Sequence, residues 1–573
     1  MPIFGILGTI RFLSGDYLVV ITAREKVGEF KGHQIYHIKE TKSIAFNASM
    51  AHLDVNQKTD EVIYLATFKN AMANQFMYYS YTYDMTNSMQ RQQNADLSLP
   101  LWKRADDRFH WNSYLQSHLG QALPTDVADR YQLPVIQGFL EVRECAIKTH
   151  RFTYVLLSRR SRFRVGTRYF SRGADEFGNV SNFVETEQMV FFSAKSGESA
   201  ADVTKNGYWQ FSHVQTRGSI PIFWAQVPNM KYVPVLKLPT NVDTLSAFKK
   251  HFEAQTATYG DQIVVNLVNK KKYEEPMGLA FNRYTQLLDD PRIHYLHFDF
   301  HQECSKMRWH RISILMDKIK DLLDAQSYYS AKVVEGSKPG SGTTTCAHRQ
   351  TSVVRTNCMD CLDRTNVVQS VVARFVLTKL FRELNVLEPH ENIDDFVPLE
   401  TMLRNVWADH ADAISIMYSG TGALKTDFTR TGQRTKDGVN SLVRYVKNNY
   451  LDGARQDGID LMLGNYVVRP SGPSPFQMRW TLEAKVLFGC AAIALAMLFV
   501  GTVVPRADGY FSLAQTYYVV TWSAVLAACF YLGMKEHAYE FINWPKLVAY
   551  PYRPTSFRRR VVRKGGDKAK KQQ

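Results

Sequence analysis

The sequence predicts a mixed α and β protein, of the α+β or α/β class, in three parts. The first part is a β-rich N-terminal module, the second a domain with a mixed sheet and a Cys-x5-Arg loop, and the third a pair of membrane-spanning helices. Three patterns support this prediction. Short alternating apolar runs fill the start of the chain, a strand–loop–helix pattern surrounds Cys358, and two long uncharged apolar runs lie near the C terminus.

The composition is that of a globular protein with a strongly basic end. The chain has 573 residues, of which 45% are hydrophobic and 22% charged, and a formal net charge of +16. Eleven Lys or Arg against three acidic residues in 535–573 carry half of this excess. The seven cysteines are scattered, which argues against a secreted disulfide framework. No nucleic-acid partner is expected.

We assign residues 1–131 to the N-terminal module. Residues 6–12 and 17–22 are predicted strands joined at Ser14-Gly15-Asp16, a further strand is expected near 33–39, and 60–70 is a candidate helix. The module contains no catalytic constellation and is interpreted as a scaffold.

Residues 132–466 form the predicted second domain. The alternating run 153–169 is rich in arginine, and two interpretations stay open: a basic face beside an anionic lipid surface, or a solvated strand face. Helices are predicted at 243–254 and 307–325 and buried strands at 262–268 and 292–301. The histidines of the last strand lack an acidic cluster, so no metal site is expected there.

The loop from Cys358 to Arg364 carries the chemistry of this domain. It lies between a β-branched run, 352–354, and an apolar-periodic run, 367–377, and Thr365 and Asn366 are good N-cap residues for the following helix. Backbone N–H groups before a helix N terminus bind phosphate and lower a thiol pKa, which favours a Cys358 thiolate. Arg364 can hold two phosphate oxygens. Its neighbours are expected to line the same site: Asn357, Met359, Cys361 and Leu362.

The bare Cys-x5-Arg pattern is weak evidence, because Cys145 and Arg151 also match it. That copy has no helix cap, and strand-forming residues follow it, so Cys145 is interpreted as structural. Around Cys358 the flanking elements favour phosphate-monoester hydrolysis with Cys358 as nucleophile.

Two acids in the loop are candidates for proton transfer. A carboxylate beside a phosphate should have a raised pKa, so Asp360 is the favoured general acid that protonates the leaving oxygen, with an acid from another segment of the chain as the alternative. Asp363 is interpreted as a partner of Arg364 or of the loop, and Thr365 as a hydrogen-bond donor to the thiolate. No metal or cofactor is needed, because Arg364 and the backbone supply the positive field.

Five segments resemble the signatures of Sac-type phosphoinositide phosphatases: 358–366 (CMDCLDRTN), 182–188 (NFVETEQ), 215–221 (QTRGSIP), 298–301 (FDFH) and 420–432 (GTGALKTDFTRTG). The resemblance implies phosphatidylinositol 4-phosphate as the main substrate, with 3-phosphate and 3,5-bisphosphate lipids tolerated. It makes Arg217 a candidate substrate contact, with a structural ion pair as the alternative. Lys425 belongs to a basic cluster that would orient a polyanionic headgroup or simply be solvated. The resemblance also implies that the chain opens inside its first domain.

The C-terminal part is predicted to be a flexible linker, 467–485, two membrane helices, 486–504 and 511–534, and a basic tail, 535–573. The positive-inside rule places both ends in the cytosol, with phosphoinositides of the cytosolic leaflet as partners. Lys570 and Lys571 resemble a dilysine retrieval signal, which predicts residence in the endoplasmic reticulum with cycling to the Golgi. Membrane-contact-site and trafficking proteins are candidate partners.

Two other functional classes remain open. A protein tyrosine phosphatase shares the loop chemistry, and a catalytically idle lipid-binding module would share the membrane anchor. Turnover of soluble phosphopeptide would favour the first, and an absence of phosphate release from any substrate would favour the second.

Overall fold

A computed structural model describes residues 2–73, 76–193, 207–239, 243–305, 308–334, 343–424, 434–477, 480–503 and 512–553. Its strands are β1 (Gly5–Arg11), β2 (Gly15–Phe30), β3 (His33–Ala48), β4 (Met77–Tyr79), β5 (Ile136–Ile147), β6 (His150–Arg160), β7 (Val184–Ser193), β8 (Tyr208–Arg217), β9 (Ala225–Val227), β10 (Val235–Lys237), β11 (Asp261–Asn266), β12 (Ile293–His297), β13 (Tyr329–Val334), β14 (Thr343–His348) and β15 (Ser352–Asn357).

The helices are α1 (Val55–Ala73), α2 (Met89–Gln92), α3 (Leu101–Arg104), α4 (Ser113–Ala122), α5 (Thr125–Tyr131), α6 (Thr244–Tyr259), α7 (Glu275–Leu288), α8 (Phe300–Cys304), α9 (Ile312–Gln326), α10 (Asp363–Glu383), α11 (Val397–Ser419), α12 (Arg434–Tyr450), α13 (Asp452–Met462), α14 (Leu482–Val503) and α15 (Leu513–Glu536). The predicted strands of the N-terminal module and the helix near 60–70 are confirmed, and the mixed α and β class with them.

One large mixed sheet organises the chain. Its strand order is β1-β2-β3-β4-β5-β6-β7-β8-β15-β11-β12, with β13 and β14 attached beside β8. The strands from β1 to β8 pair antiparallel, whereas β8, β15, β11 and β12 are parallel. The sheet continues across the predicted boundary at 131, because β4 pairs with β5 through Met77 and Gln137. The N-terminal module therefore shares the sheet of the second domain.

The phosphate loop, defined here as residues 358–364, follows β15 and leads into α10. Val353 and Val354 are fully buried, and the β-branched run continues as strand to Asn357. Helix α10 begins at Asp363 with Leu362 at the cap position and no side-chain cap. The prediction of Thr365 and Asn366 as caps is therefore wrong: both lie inside the first turn, where they face the loop and the core.

In the arginine-rich run 153–169, the two arginines that lie in β6 form neither of the two faces expected. Arg159 and Arg160 are 0% and 1% exposed. Arg159 forms ion pairs with Glu185 at 2.7 Å and Glu187 at 2.6 Å, both also buried. The strand is covered on both faces, so these arginines are internal structure and contact neither solvent nor a lipid surface.

Helices α14 and α15 are long, apolar and largely exposed, and they pair with each other as a hairpin. Their length and composition fit membrane spans of about 30 Å. They extend to different bounds from the predicted ones: α14 begins within the predicted linker, and α15 ends two residues later than expected.

The prediction of a flexible linker is wrong for residues 467–477. Pro470 O accepts a hydrogen bond from Gln57 Nε2 at 3.0 Å, and Ser474 Oγ donates to Asp60 Oδ1 at 2.7 Å. The ring of Phe476 packs edge-on against Tyr64, with 4.8 Å between centroids. This segment therefore lies fixed on α1.

Part of the predicted basic tail also packs on the second domain. Residues 538–553, called the C-terminal strap, bury Ile542 and Trp544 against Phe170 and Val227. Asp457 Oδ1 accepts the backbone N–H groups of Lys546 and Leu547 at 2.8 and 2.9 Å. The hairpin is thus joined to the folded domain on both sides. Lys570 and Lys571 lie outside the described residues.

Candidate active site

The phosphate loop lies at the carboxyl end of a central parallel strand, where open α/β sheets place their ligand sites. Val354 of β15 and Val367 and Val368 of α10 share one buried apolar cluster with Cys358. The loop is therefore held between a buried strand and a buried helix. Cys361 turns the chain there with a positive φ of 53°, a conformation that a non-glycine residue rarely adopts.

Cys358 has the environment of a thiolate. Its side chain is 2% exposed, and Sγ accepts the backbone N–H of Cys361 at 3.2 Å. Thr365 Oγ1 lies 3.6 Å from the same sulfur. Hydrogen bonding by Cys361 and the charge of Arg364 lower the pKa of Cys358 to about 5, although burial opposes this change. A pKa below neutral favours the ionised form of Cys358, and its role as nucleophile stays a prediction.

Cys361 has the opposite character, although it lies three residues away. Its Sγ donates to Gly218 O at 3.0 Å, and burial raises its pKa well above the usual value. The pKa values of the two cysteines are thus shifted in opposite directions, and the backbone N–H of Cys361 donates to Cys358 Sγ.

Arg364 is held from one side. Nη1 and Nη2 donate to the two carboxylate oxygens of Glu274, each at 2.8 Å, and Nη1 also donates to Leu267 O at 3.0 Å. Within the described ranges, Nε of Arg364 makes no hydrogen bond. An arginine held by its outer nitrogens presents Nε and the second Nη2 proton together, which suits two oxygens of one phosphate.

Asp360 does not have the raised pKa expected for it. Arg168 donates from Nη2 to Oδ2 at 2.8 Å, and Arg172 donates from Nη2 to Oδ1 at 2.5 Å. Burial opposes ionisation here, but the two guanidinium charges hold the pKa of Asp360 well below its usual range. The assignment of Asp360 as a protonated acid is therefore wrong: it is a carboxylate that ties the loop to Arg168 and Arg172.

Asp363 has the raised pKa instead. Burial raises it, whereas Arg444, with Nη1 3.8 Å from Oδ2, and the backbone N–H of Leu424, 2.6 Å from Oδ1, oppose the rise. The negative charges of Cys358 and Asp360 add to the effect of burial. Asp363 does not pair with Arg364, whose carboxylate partner is Glu274.

Arg217 is neither in a carboxylate ion pair nor exposed to a substrate. It is 0% exposed at the end of β8, and Nη2 donates to Gln369 Oε1 and, at 3.3 Å, to Asn366 Oδ1. Burial lowers its pKa to about 10, while the nearby sulfurs of Cys361 and Cys358 favour its charged form. Arg217 therefore supplies a positive charge from beneath the loop.

The other predicted lining residues have buried side chains. Asn357 donates to Asn266 Oδ1 at 2.7 Å, and Met359 and Leu362 belong to apolar clusters. These residues can contribute backbone groups to the site, as Cys361 does, but their side chains belong to the core. Lys425 lies outside the described residues.

Four residues of the site were missed by the sequence reasoning. Arg168 lies in a run that was interpreted as a surface strand, and Arg172 and Glu274 carried no signal. Asn182, whose Nδ2 donates to Asp360 O at 3.3 Å, is the first residue of the segment 182–188 that resembles a Sac signature, and it could have been found from that resemblance. In the described part of the chain, no group of three His, Cys, Asp or Glu side chains is arranged to hold a metal ion.

The family relationship agrees with this site. Residues 4–305 match the model of the SacI homology domain. The chain is 40% identical over 557 residues to phosphatidylinositol-3-phosphatase SAC1 of Saccharomyces cerevisiae, covering 96% of this chain and 86% of that protein. It is 38% identical over 559 residues to phosphatidylinositol-3-phosphatase SAC1-A of Danio rerio, covering 96% of this chain and 90% of that protein. It is also 38% identical over 570 residues to phosphatidylinositol-3-phosphatase SAC1 of Drosophila melanogaster, covering 97% of this chain and 90% of that protein. The chain therefore belongs to the Sac-domain phosphoinositide phosphatase family.

Proposed function

We propose that the protein hydrolyses the phosphate monoester of phosphatidylinositol 4-phosphate, and also of 3-phosphate and 3,5-bisphosphate lipids, through a phosphocysteine intermediate. The observation that carries the proposal is the Cys358 sulfur, buried at the end of β15 and hydrogen-bonded by Cys361 N–H at 3.2 Å. A lowered thiol pKa beside a loop of backbone donors is what nucleophilic attack on phosphorus needs. The three named relatives are phosphatidylinositol-3-phosphatases, which supports the lipid class.

In the first step the Cys358 thiolate attacks phosphorus, an S–P bond forms and the P–O bond to inositol breaks. Arg364, oriented by Glu274, binds two of the non-bridging oxygens, and loop N–H groups bind the charge that spreads over them. Asp363, whose pKa is raised, gives its proton to the leaving inositol oxygen.

In the second step a water molecule attacks the phosphocysteine and gives its proton to the Asp363 carboxylate. The S–P bond breaks, inorganic phosphate leaves, and Thr365 donates to the returning thiolate. Every charge in this scheme comes from the chain itself, so the proposed reaction is independent of metal.

The proposed location is the membrane of the endoplasmic reticulum, with the catalytic domain and both chain ends on the cytosolic side. Helices α14 and α15 fit a membrane hairpin, and the Arg and Lys residues beyond them favour the cytosolic side. Replacing Lys570 and Lys571 by serine in a fluorescently tagged chain tests the retrieval signal. Unchanged distribution between endoplasmic reticulum and later compartments would contradict it.

The reaction is tested by phosphate release from liposomes that each carry one monophosphorylated phosphoinositide, with a chelator present. We expect fastest release from the 4-phosphate lipid and none with Cys358→Ser. Release that disappears with chelator would exclude the metal-independent scheme. Turnover of phosphotyrosine peptide alone would instead identify a protein phosphatase.

A further inference from the structure

Helix α12 carries a stripe of exposed apolar side chains. Val439, Leu442, Val443, Val446 and Tyr450 are 63, 67, 37, 44 and 37% exposed. Their spacing of three or four residues places them on one face of the helix over about 17 Å of its length. A contiguous apolar surface of this kind on a polar helix is a feature that normally has a partner. These five residues are called the apolar stripe.

The opposite face of α12 is tied to the candidate active site. Arg444, 4% exposed, donates to Thr421 Oγ1 at 2.9 Å and to Ser415 Oγ at 3.1 Å, beside Asp363. Asn448 is fully buried and its Oδ1 accepts from Arg168 Nη1 at 3.2 Å. The helix therefore cannot rotate its apolar stripe inward without breaking contacts that position Asp363 and Arg168.

The stripe ends at the base of the apolar hairpin. Tyr450 lines a cavity of about 1200 Å³ together with Trp480, which precedes α14, and with Glu483 and Glu536, which lie in the first turn of α14 and at the end of α15. Next to it, Asn449 O accepts the backbone N–H of Asn543 in the C-terminal strap at 2.8 Å. The apolar stripe is thus continuous with the place where the hairpin leaves the folded domain.

We propose that the apolar stripe of α12 inserts at the boundary of headgroups and acyl chains in the same bilayer that the hairpin spans. This contact holds the active site at the membrane surface. An amphipathic helix next to a membrane span buries its apolar face at the boundary of headgroups and acyl chains. The proposal rests on the hairpin spanning the membrane. It goes beyond the proposed hydrolysis, because membrane contact by α12 does not depend on the chemistry of Cys358.

Direct contact is tested with the full chain in proteoliposomes of phosphatidylcholine and phosphatidylinositol. A benzoylphenylalanine replaces Leu442, and the sample is illuminated and digested for mass spectrometry. We expect a lipid adduct at position 442. The matched control places the same group at Leu279, which is 65% exposed on α7, and should give none. A cross-link to a second copy, or no adduct at 442, would overturn the proposal.

The consequence for turnover is tested with Leu442→Glu. For the full chain we compare kcat/KM on long-chain phosphoinositide in the bilayer with kcat/KM on a short-chain, water-dispersed analogue. The ratio of the two should fall at least fivefold with Leu442→Glu and stay unchanged with Leu279→Glu. An unchanged ratio in Leu442→Glu would overturn the proposal. If the wild-type chain releases phosphate from neither lipid, the proposed hydrolysis fails, and the adduct at 442 still decides the membrane contact.

Discussion

The two carboxylate oxygens of Glu274 accept two parallel hydrogen bonds, each of 2.8 Å, from Nη1 and Nη2 of Arg364. This arrangement fixes the plane of the guanidinium and leaves its inner edge directed away from the carboxylate. An Arg–carboxylate pair of this geometry is stronger than a single hydrogen bond and restricts orientation as well as distance. In the proposed hydrolysis, Glu274 would therefore act as a positioning residue for Arg364.

We expect Glu274→Gln to lower kcat/KM about tenfold, equivalent to about 1.4 kcal/mol of transition-state stabilisation. The amide keeps the size of the side chain but loses the charge that orients Arg364. Steady-state kinetics on a short-chain phosphoinositide would measure the change. Glu275→Gln is the matched control, because Glu275 is the exposed neighbour on the same turn. Equal effects of the two changes would contradict an orienting role.

Asp363→Asn should lower kcat by roughly 10²–10⁴-fold on phosphoinositide, because the leaving inositol oxygen then departs without a proton. On an aryl phosphate, whose leaving group needs no acid, the loss should be much smaller. Asp360→Asn should not show this dependence on the leaving group, since its partners are Arg168 and Arg172. Leaving-group dependence in Asp360→Asn alone would return the acid role to that residue.

The pH dependence of kcat/KM should rise through a midpoint near 5 on the acid side. Below the pKa of Cys358, about 5, the thiol is protonated and cannot attack, and above it the thiolate is present. Thr365→Val removes a hydrogen bond that lowers this pKa, so its acid limb should move to higher pH. Thr365→Ser should restore the wild-type position. A profile that stays fixed in Thr365→Val would show that the threonine does not act on the thiolate.

Arg159→Met should destabilise the fold by about 3–5 kcal/mol, because Glu185 and Glu187 would stay buried without their cation. Thermal unfolding of the full chain in detergent measures the effect. Arg162→Met is the matched control, since its ion pair with Asp107 lies at the surface and is expected to contribute no more than ~1 kcal/mol. A Tm unchanged in Arg159→Met would contradict the internal role of this strand.

Trp544→Ala should reduce turnover even of a short-chain, water-dispersed lipid. Trp544 packs on Phe170 with 5.6 Å between ring centroids. In the sequence, Phe170 lies between Arg168 and Arg172, which both donate hydrogen bonds to Asp360. Truncating a buried tryptophan costs about 3–5 kcal/mol of packing, which should loosen that segment. Trp102→Ala, outside this cluster, is the control. Full activity of Trp544→Ala would show that the strap does not influence the site.

The features of the site that depend on residues close in sequence could be predicted. The features that depend on contacts between residues distant in sequence could not. Strand, loop and helix around Cys358 follow from neighbouring residues, and the lowered pKa of Cys358 follows from the loop that they form. The two carboxylate–arginine arrangements do not: Arg168 is 192 positions from Asp360, and Glu274 is 90 positions from Arg364. Without knowledge of these partners, the sequence does not distinguish Asp360 from Asp363 as the acid with a raised pKa, and the raised pKa was assigned to Asp360 although it belongs to Asp363.

The linker and the strap were misjudged for a related reason. Proline, glycine and charge indicate irregular backbone, but they do not tell whether that backbone lies free or packs on a folded surface. Phe476 and Trp544 were the available signals, since large aromatic side chains in such segments are often buried. Their partners, Tyr64 and Phe170, lie hundreds of residues earlier.

The C-terminal strap has a consequence for the order in which the protein is made. Residues 538–553 leave the ribosome after both apolar helices, yet Tyr550 donates to Tyr169 O at 3.2 Å, next to Arg168. The catalytic domain is therefore synthesised well before the segment that completes the packing around Phe170. A nascent chain that has not yet delivered its hairpin to the membrane lacks this packing, so full assembly of the site is expected to follow membrane insertion.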